Sequence, residues 1–167
     1  MTDFHAQFPK SGIGKQHPYL IERLDPQHSI LDYGCGKGGT VEWLRGAGYS
    51  VWGYEPYVAE YSNTETLNRK YDTIYTQDVL EHIEQDEIPW QLFDTIAQEQ
   101  IHIIDLTPAK KRLKTGQNAH ITLLPPQVWL HLFDTRTQGT IADHRIDVQP
   151  DPNFGKRERL CLHIKHG

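Results

Sequence analysis

Short apolar runs stopped by glycine alternate with stretches in which apolar residues recur every three or four positions, the signature of strands alternating with helices. Residues 16–24 place Tyr19, Leu20 and Leu24 on one side of an amphipathic helix, entered through Gly12-Ile13-Gly14. Residues 29–33 predict a strand stopped by Gly34. A helix then begins at 40–44 and ends near Gly46 and Gly48, and residues 49–54 predict the next strand. Strand, glycine-rich turn, helix and strand in this order make a βαβ unit of about 30 residues, whose crossover implies parallel strands.

The alternation continues with a buried strand at 71–77, a helix at 85–98 and a strand at 101–106 closed by Thr107-Pro108. Pro125 and Pro126 open a helix running through Phe133, because proline in a first helical turn gives up only an N–H that would have no partner there. Two strands follow at 140–148 and 158–165 with no helix between them. Their connector, 149–155, is rich in Pro, Asp, Asn and Gly, which predicts an antiparallel hairpin. The expectation is one α/β domain over residues 1–167, with a mostly parallel sheet, helices on both faces and an antiparallel C-terminal strand.

Composition narrows this only by exclusion. With 167 residues, 37% hydrophobic and 23% charged, the chain can bury one core and is not compositionally disordered. No apolar run approaches the ~20 residues of a membrane helix, and no secretory leader is expected. Cys35 and Cys161 are too few for a disulfide framework and lack metal-ligand spacing, which suits a reducing cytoplasm. A net charge of −5 does not favour extended nucleic-acid binding, and the one basic cluster, Lys110-Lys111-Arg112 with Lys114, reads first as a solvated loop.

The turn at Gly34-Cys35-Gly36-Lys37-Gly38-Gly39 fits G-x-G-x-x-G between a strand and a helix, and Glu55 ends the following strand, where a ribose hydroxyl pair would be gripped. Alone, this pattern suits a nicotinamide dinucleotide. Asp32 discriminates: a carboxylate at the mouth of the turn repels a pyrophosphate but attracts the ammonium of a methionine moiety, by about 4 kcal/mol at an effective dielectric near 20. The cofactor indicated is S-adenosylmethionine.

At these residues the sequence resembles the class I S-adenosylmethionine-dependent methyltransferases. Residues 30–38 are similar to their first motif, Tyr54-Glu55-Pro56-Tyr57 to the acidic end of their second strand, and residues 71–83 to their fourth-strand segment; residues 120–133 resemble the stretch before the last helix. The compact layout is similar to small methyltransferase-like proteins of bacteriophages. The resemblance implies a Rossmann-like fold and a cofactor site comprising Asp32, Gly34, Cys35, Gly36, Glu55, Pro56, Tyr57, Asp78 and Val79. Residues 4–15, with Phe8, Gly12 and Gly14, read on their own as either a lid over the cofactor or a flexible leader. The resemblance also implies a departure. Between Glu55 and Asp72 there is too little chain for a crossover helix, a third strand and the acidic residue that usually reads adenine. The third strand is therefore expected to be reduced to a loop holding Tyr57, Tyr61 and Asn63, with Asp78 or backbone amides near Asn63 as substitutes.

Asp78, Glu81 and His82 stand at i, i+3 and i+4, one helical face if the chain turns helical after the strand. Two readings are open. In one, Asp78 meets the methionine end of the cofactor while Glu81 and His82 brace the fold, leaving His82 or His120 as a catalytic base. The other rests on resemblance to metal-dependent methyltransferases acting on small-RNA 3′ ends and on ubiquinone precursors. It makes Asp78, Glu81, His82 and His120 the ligands of a divalent ion, Mg²⁺, Mn²⁺ or Zn²⁺. The leading expectation is methyl transfer to an oxygen or nitrogen of a small-molecule or nucleotide-like acceptor. The rival is a cofactor-binding module without catalysis.

Overall fold

The computed structural model describes residues 16–167. A short helix α1 (Pro18–Ile21) precedes β1 (Ser29–Tyr33), α2 (Gly39–Gly46), β2 (Ser50–Tyr54) and β3 (Tyr71–Gln77). Then come α3 (Trp90–Ile96), β4 (Ala97–Asp105), α4 (Pro126–Arg136) and the hairpin of β5 (Thr140–Asp151) and β6 (Gly155–Lys165). The sheet runs β2-β1-β3-β4-β6-β5. The first four strands are parallel, while β6 enters antiparallel to β4 and pairs antiparallel with β5.

Apolar side chains alternate between the two faces of the central strands, so the sheet divides the core. Leu31, Tyr33, Ile74, Leu160 and Leu162 pack with Phe93 and Ile96 of α3 and with Trp129 and Phe133 of α4. Ile30, Tyr75, Ile101, Ile103 and Cys161 pack on the other face with Tyr19 and Leu20 of α1 and Val41 and Leu44 of α2. This is the expected doubly covered α/β sheet.

The shortened third strand is observed. Between β2 and β3 lie only two short 3₁₀ segments, Ala59–Tyr61 and Thr64–Asn68, so β2 is one edge of the sheet. Tyr61 in this loop is buried, and it closes on two glycines: a Cβ at Gly38 would stand 2.1 Å from the Tyr61 hydroxyl, and one at Gly53 would stand 2.8 Å from its ring.

Four local expectations are corrected. The helix expected over 16–24 shortens to Pro18–Ile21, with the His17 imidazole accepting the Tyr19 amide at its start. The helix expected over 85–98 becomes a 3₁₀ turn, Gln85–Glu87, followed by α3, and β4 begins at Ala97 rather than at 101. Gln100, polar in sequence, is wholly buried in β4 because Asp94 and His102 both hydrogen-bond to its amide. The hairpin strands also run on to Asp151 and from Gly155, leaving a turn of 152–154 whose amides at Asn153 and Phe154 donate to the Asp151 carboxylate. Pro150 is tolerated inside β5 because β5 is an edge strand. Finally, no helix follows β3: Asp78 has φ 53° and Leu80–His82 is a single 3₁₀ turn.

Candidate functional site

The glycine-rich turn lies at the carboxyl end of β1. Gly34, Gly36 and Gly38 have φ of 81°, 54° and 77°, conformations that a side chain would strain. The Gly34 and Cys35 amides both donate to the Tyr54 carbonyl, tying the turn to the end of β2. Gly34 also abuts the chain leaving β3, because a Cβ there would meet both Val79 methyl carbons at 2.6 Å. The glycine-rich turn and the segment that carries Glu81 and His82 therefore lie against each other.

Asp32 is buried in the floor of this turn, and burial raises its carboxyl to about 7, with the Tyr75 hydroxyl opposing the shift and the Glu55 charge adding to it. Glu55 is itself buried at the end of β2, and its Oε1 accepts the Tyr57 amide at 3.3 Å. Tyr57 projects to the surface one residue beyond Pro56. The Cys35 thiol is buried and held protonated, first by desolvation and then by the Asp32 and Glu55 charges.

Beyond Val79 the structure gathers Glu81, His82 and His120, with one ligand atom of each lying within 4.8 Å of the others. Asp78 is not in this group. Its carboxylate is held by Arg159, Nε to Oδ1 at 2.8 Å and Nη2 to Oδ2 at 3.3 Å. The expected single face of Asp78, Glu81 and His82 fails to form because Asp78 adopts a left-handed conformation and the following turn is 3₁₀. Asp78 instead converges with Glu81 and Asp105.

The donor atoms are sharply defined. His82 Nδ1 lies 2.8 Å from the Ala119 carbonyl and His120 Nδ1 lies 2.6 Å from the Thr107 carbonyl. A carbonyl oxygen can only accept, so each Nδ1 carries the hydrogen and each Nε2 carries the lone pair. Burial, with the neighbouring His120, lowers His82 to about 4, and burial also lowers His120. Both rings are therefore neutral at neutral pH. Glu81 is wholly buried; its Oε1 accepts the Asp105 amide at 3.3 Å, and its Oε2 has no partner among the described residues. Burial, reinforced by Asp78 and Asp105, pushes its carboxyl well above the ordinary range.

Arg159, Arg157 and Asp105 were not among the residues singled out from sequence. Arg159 faces Asp105 directly across β4 and β6, and Arg157 reaches Asp105 at 2.9 Å and Asp151 at 3.5 Å. Acid and base alternate across the end of the sheet, a signal written only in the strand pairing. In the basic cluster, Lys110 pairs with Asp151 at 3.6 Å and Arg112 donates to the Gly116 carbonyl. A second group, His17, Asp147 and Cys161, also converges. There His17 Nδ1 accepts the Tyr19 amide, so the hydrogen sits on Nε2 facing Asp147 at 3.4 Å, and burial pushes the Cys161 thiol to about 12. That group is a brace with neither a free imidazole lone pair nor a thiolate. Residues 4–15, considered as a lid, lie outside the described residues.

A family described as "methyltransferase domain" matches residues 6–137. The chain belongs to the class I S-adenosylmethionine-dependent methyltransferases. Among solved structures, this methyltransferase is similar to a protein from Methanosarcina mazei described as a SAM-dependent methyltransferase. The TM-score is 0.67 at 15% identity, over 91% of this chain and 98% of that one. It is also similar to the O-methyltransferase from a trans-AT PKS multienzyme of Brevibacillus brevis in complex with S-adenosyl-L-homocysteine (TM-score 0.62, 14% identity, 89% of this chain and 70% of that one). A third is coclaurine N-methyltransferase bound to N-methylheliamine and SAH (TM-score 0.61, 10% identity, 89% of this chain and 68% of that one). Among curated proteins, no sequence matches the methyltransferase significantly. No helix among the described residues is long and apolar enough to cross a membrane.

Proposed function

We propose that this methyltransferase carries a methyl group from S-adenosylmethionine to an oxygen or nitrogen of a small-molecule or nucleotide-like acceptor. The observation that carries this reading is the contact between Gly34 and Val79, which sets the cofactor turn against the segment bearing two neutral imidazoles. In this reading Asp32 attracts the methionine ammonium, Gly34, Cys35 and Gly36 let the ligand approach the backbone, and Glu55 with Pro56 and Tyr57 holds the ribose end. Val79 and Asp78 border the transferred methyl. Methyl transfer asks chiefly that the nucleophile be held in line with the sulfonium carbon, and this juxtaposition can supply that positioning. The N-methylheliamine bound by the coclaurine N-methyltransferase neighbour supports a small-molecule substrate. Two buried, unpaired cysteines suit a cytoplasmic setting.

The same geometry favours a divalent ion over a general base at the two histidines. An imidazole at about 4 is a weak acceptor for a hydroxyl proton at neutral pH, whereas a neutral ring is the form in which histidine ligates a cation. The donor set fits: two Nε2 lone pairs whose rings are oriented by backbone carbonyls, and a buried carboxylate oxygen without a partner. Glu81, His82 and His120 would hold the ion, and two nitrogens with one oxygen favour Zn²⁺ or Mn²⁺ over Mg²⁺. Asp78 would act at most through Glu81. When bound, such an ion orients an acceptor hydroxyl and lowers its pKa.

Calorimetry with S-adenosylmethionine, S-adenosylhomocysteine and NAD tests the cofactor, and turnover to S-adenosylhomocysteine against a panel of hydroxyl and amine acceptors tests catalysis. NAD binding in place of the other two would overturn the cofactor reading. Cofactor binding with no turnover on any acceptor would instead support the non-catalytic module.

A further inference from the structure

Tyr75 stands in β3 directly opposite Asp32 of β1, in the same register and on the same face of the sheet. It is wholly buried, and its hydroxyl faces the Asp32 carboxyl closely enough to oppose that group's upward shift, yet short of good hydrogen-bond geometry and with no other partner among the described residues. A buried hydroxyl without a well-formed hydrogen bond carries part of the about 1–3 kcal/mol cost of an unsatisfied group, which phenylalanine would avoid in the same apolar layer of Ile30, Ile101 and Ile103.

The groups facing Asp32 are few. Glu55 can only accept when ionised, and the Cys35 thiol is a weak donor whose sulfur already points 3.8 Å from the Gly36 carbonyl. The Tyr75 hydroxyl is the strong neutral donor of this set. While Asp32 holds its own proton, it makes little demand on Tyr75; once a bound cation ionises it, the carboxylate needs donors in a place that water does not reach.

We infer that Tyr75 is a cofactor-positioning residue: its hydroxyl donates to the Asp32 carboxylate once the methionine ammonium is in place, and so sets how tightly the amino-acid end of the cofactor is held. This rests on the S-adenosylmethionine reading of the site. Tyr75 touches no reacting atom and acts through Asp32, so its effect is confined to ligands that carry the ammonium.

The test compares S-adenosylhomocysteine with 5′-methylthioadenosine, which keeps the adenosine and lacks the amino-acid end, in the wild-type protein and in Tyr75→Phe. In the variant, affinity for S-adenosylhomocysteine falls about tenfold, the scale of a lost charge-assisted hydrogen bond. Affinity for 5′-methylthioadenosine stays within about twofold, within the ~0.5 kcal/mol scatter expected of an uncoupled site, and the melting temperature holds or rises. In an Asp32→Asn background, Tyr75→Phe adds no further loss. Equal S-adenosylhomocysteine affinity in the two proteins, an equal loss for both ligands, or a Tyr75→Phe protein that melts earlier or does not fold would each overturn the inference. A wild-type protein that binds neither ligand overturns the cofactor reading beneath it.

Discussion

His82 and His120 stand edge to face, with ring centroids 4.7 Å apart and planes at 82°, and each is turned by a backbone carbonyl at Nδ1. Two buried imidazoles fixed in one tautomer and kept neutral are arranged to present lone pairs. The protein is expected to take up one equivalent of Zn²⁺ or Mn²⁺, and the His82→Ala, His120→Ala double variant none, measured by metal content after purification without a His tag. No uptake by the unmodified protein, with S-adenosylhomocysteine present, returns Glu81 and the two histidines to a structural brace.

Glu55→Ala removes the carboxylate assigned to the ribose hydroxyls. Charge-assisted hydrogen bonds contribute roughly 1.5–3 kcal/mol each, so affinity for S-adenosylhomocysteine should fall at least about tenfold. Unchanged affinity by calorimetry, in a variant that keeps its melting temperature, would remove the ribose assignment.

Cofactor binding should depend on pH through Asp32. Its carboxyl is raised to about 7, so near neutral pH the empty site is partly protonated, and binding a cation there releases that proton. Affinity should therefore weaken as pH falls below about 7, approaching tenfold per unit. For the empty protein the sign reverses. A folded carboxyl raised above its unfolded value stabilises most below about pH 4, and that contribution is lost as pH rises through about 7. Asp32→Asn should thus melt higher than wild type at pH 8 while binding S-adenosylhomocysteine more weakly. A pH-independent affinity between pH 5.5 and 8 would contradict this.

Arg159→Ala leaves Asp78 and Asp105 without their shared guanidinium. Removing one partner of a buried ion pair costs about 3–5 kcal/mol, which solvent at the partly exposed Asp78 reduces to about 2 kcal/mol. A lower urea midpoint with unchanged m-value is the expected readout. Arg159→Lys should recover only part of it, because an ammonium cannot match the bidentate geometry. A midpoint equal to wild type would show that Asp78 holds its left-handed conformation without Arg159.

The glycine turn, the places of Asp32 and Glu55 at the ends of β1 and β2, the missing third strand and the antiparallel hairpin are all legible in the sequence, and for one reason. Each is decided within a few neighbouring residues: backbone torsions that only glycine accepts, a carboxylate two positions before a turn, or too little chain between Glu55 and Asp72 to build a crossover. What the sequence misleads on is decided elsewhere in the molecule. Residues 97 and 98 look like a polar helix tail and 99 and 100 like its exit, yet all four open β4 because β3 and β6 pair with this stretch and Asp94 and His102 satisfy Gln100. Asp78 sits at helical spacing from Glu81, yet Arg159, 81 residues away, claims its carboxylate. The Nδ1 partners of the histidines and the hydroxyl that Tyr75 turns toward Asp32 come from strand register and loop carbonyls, contacts between segments distant in the chain that no local pattern encodes.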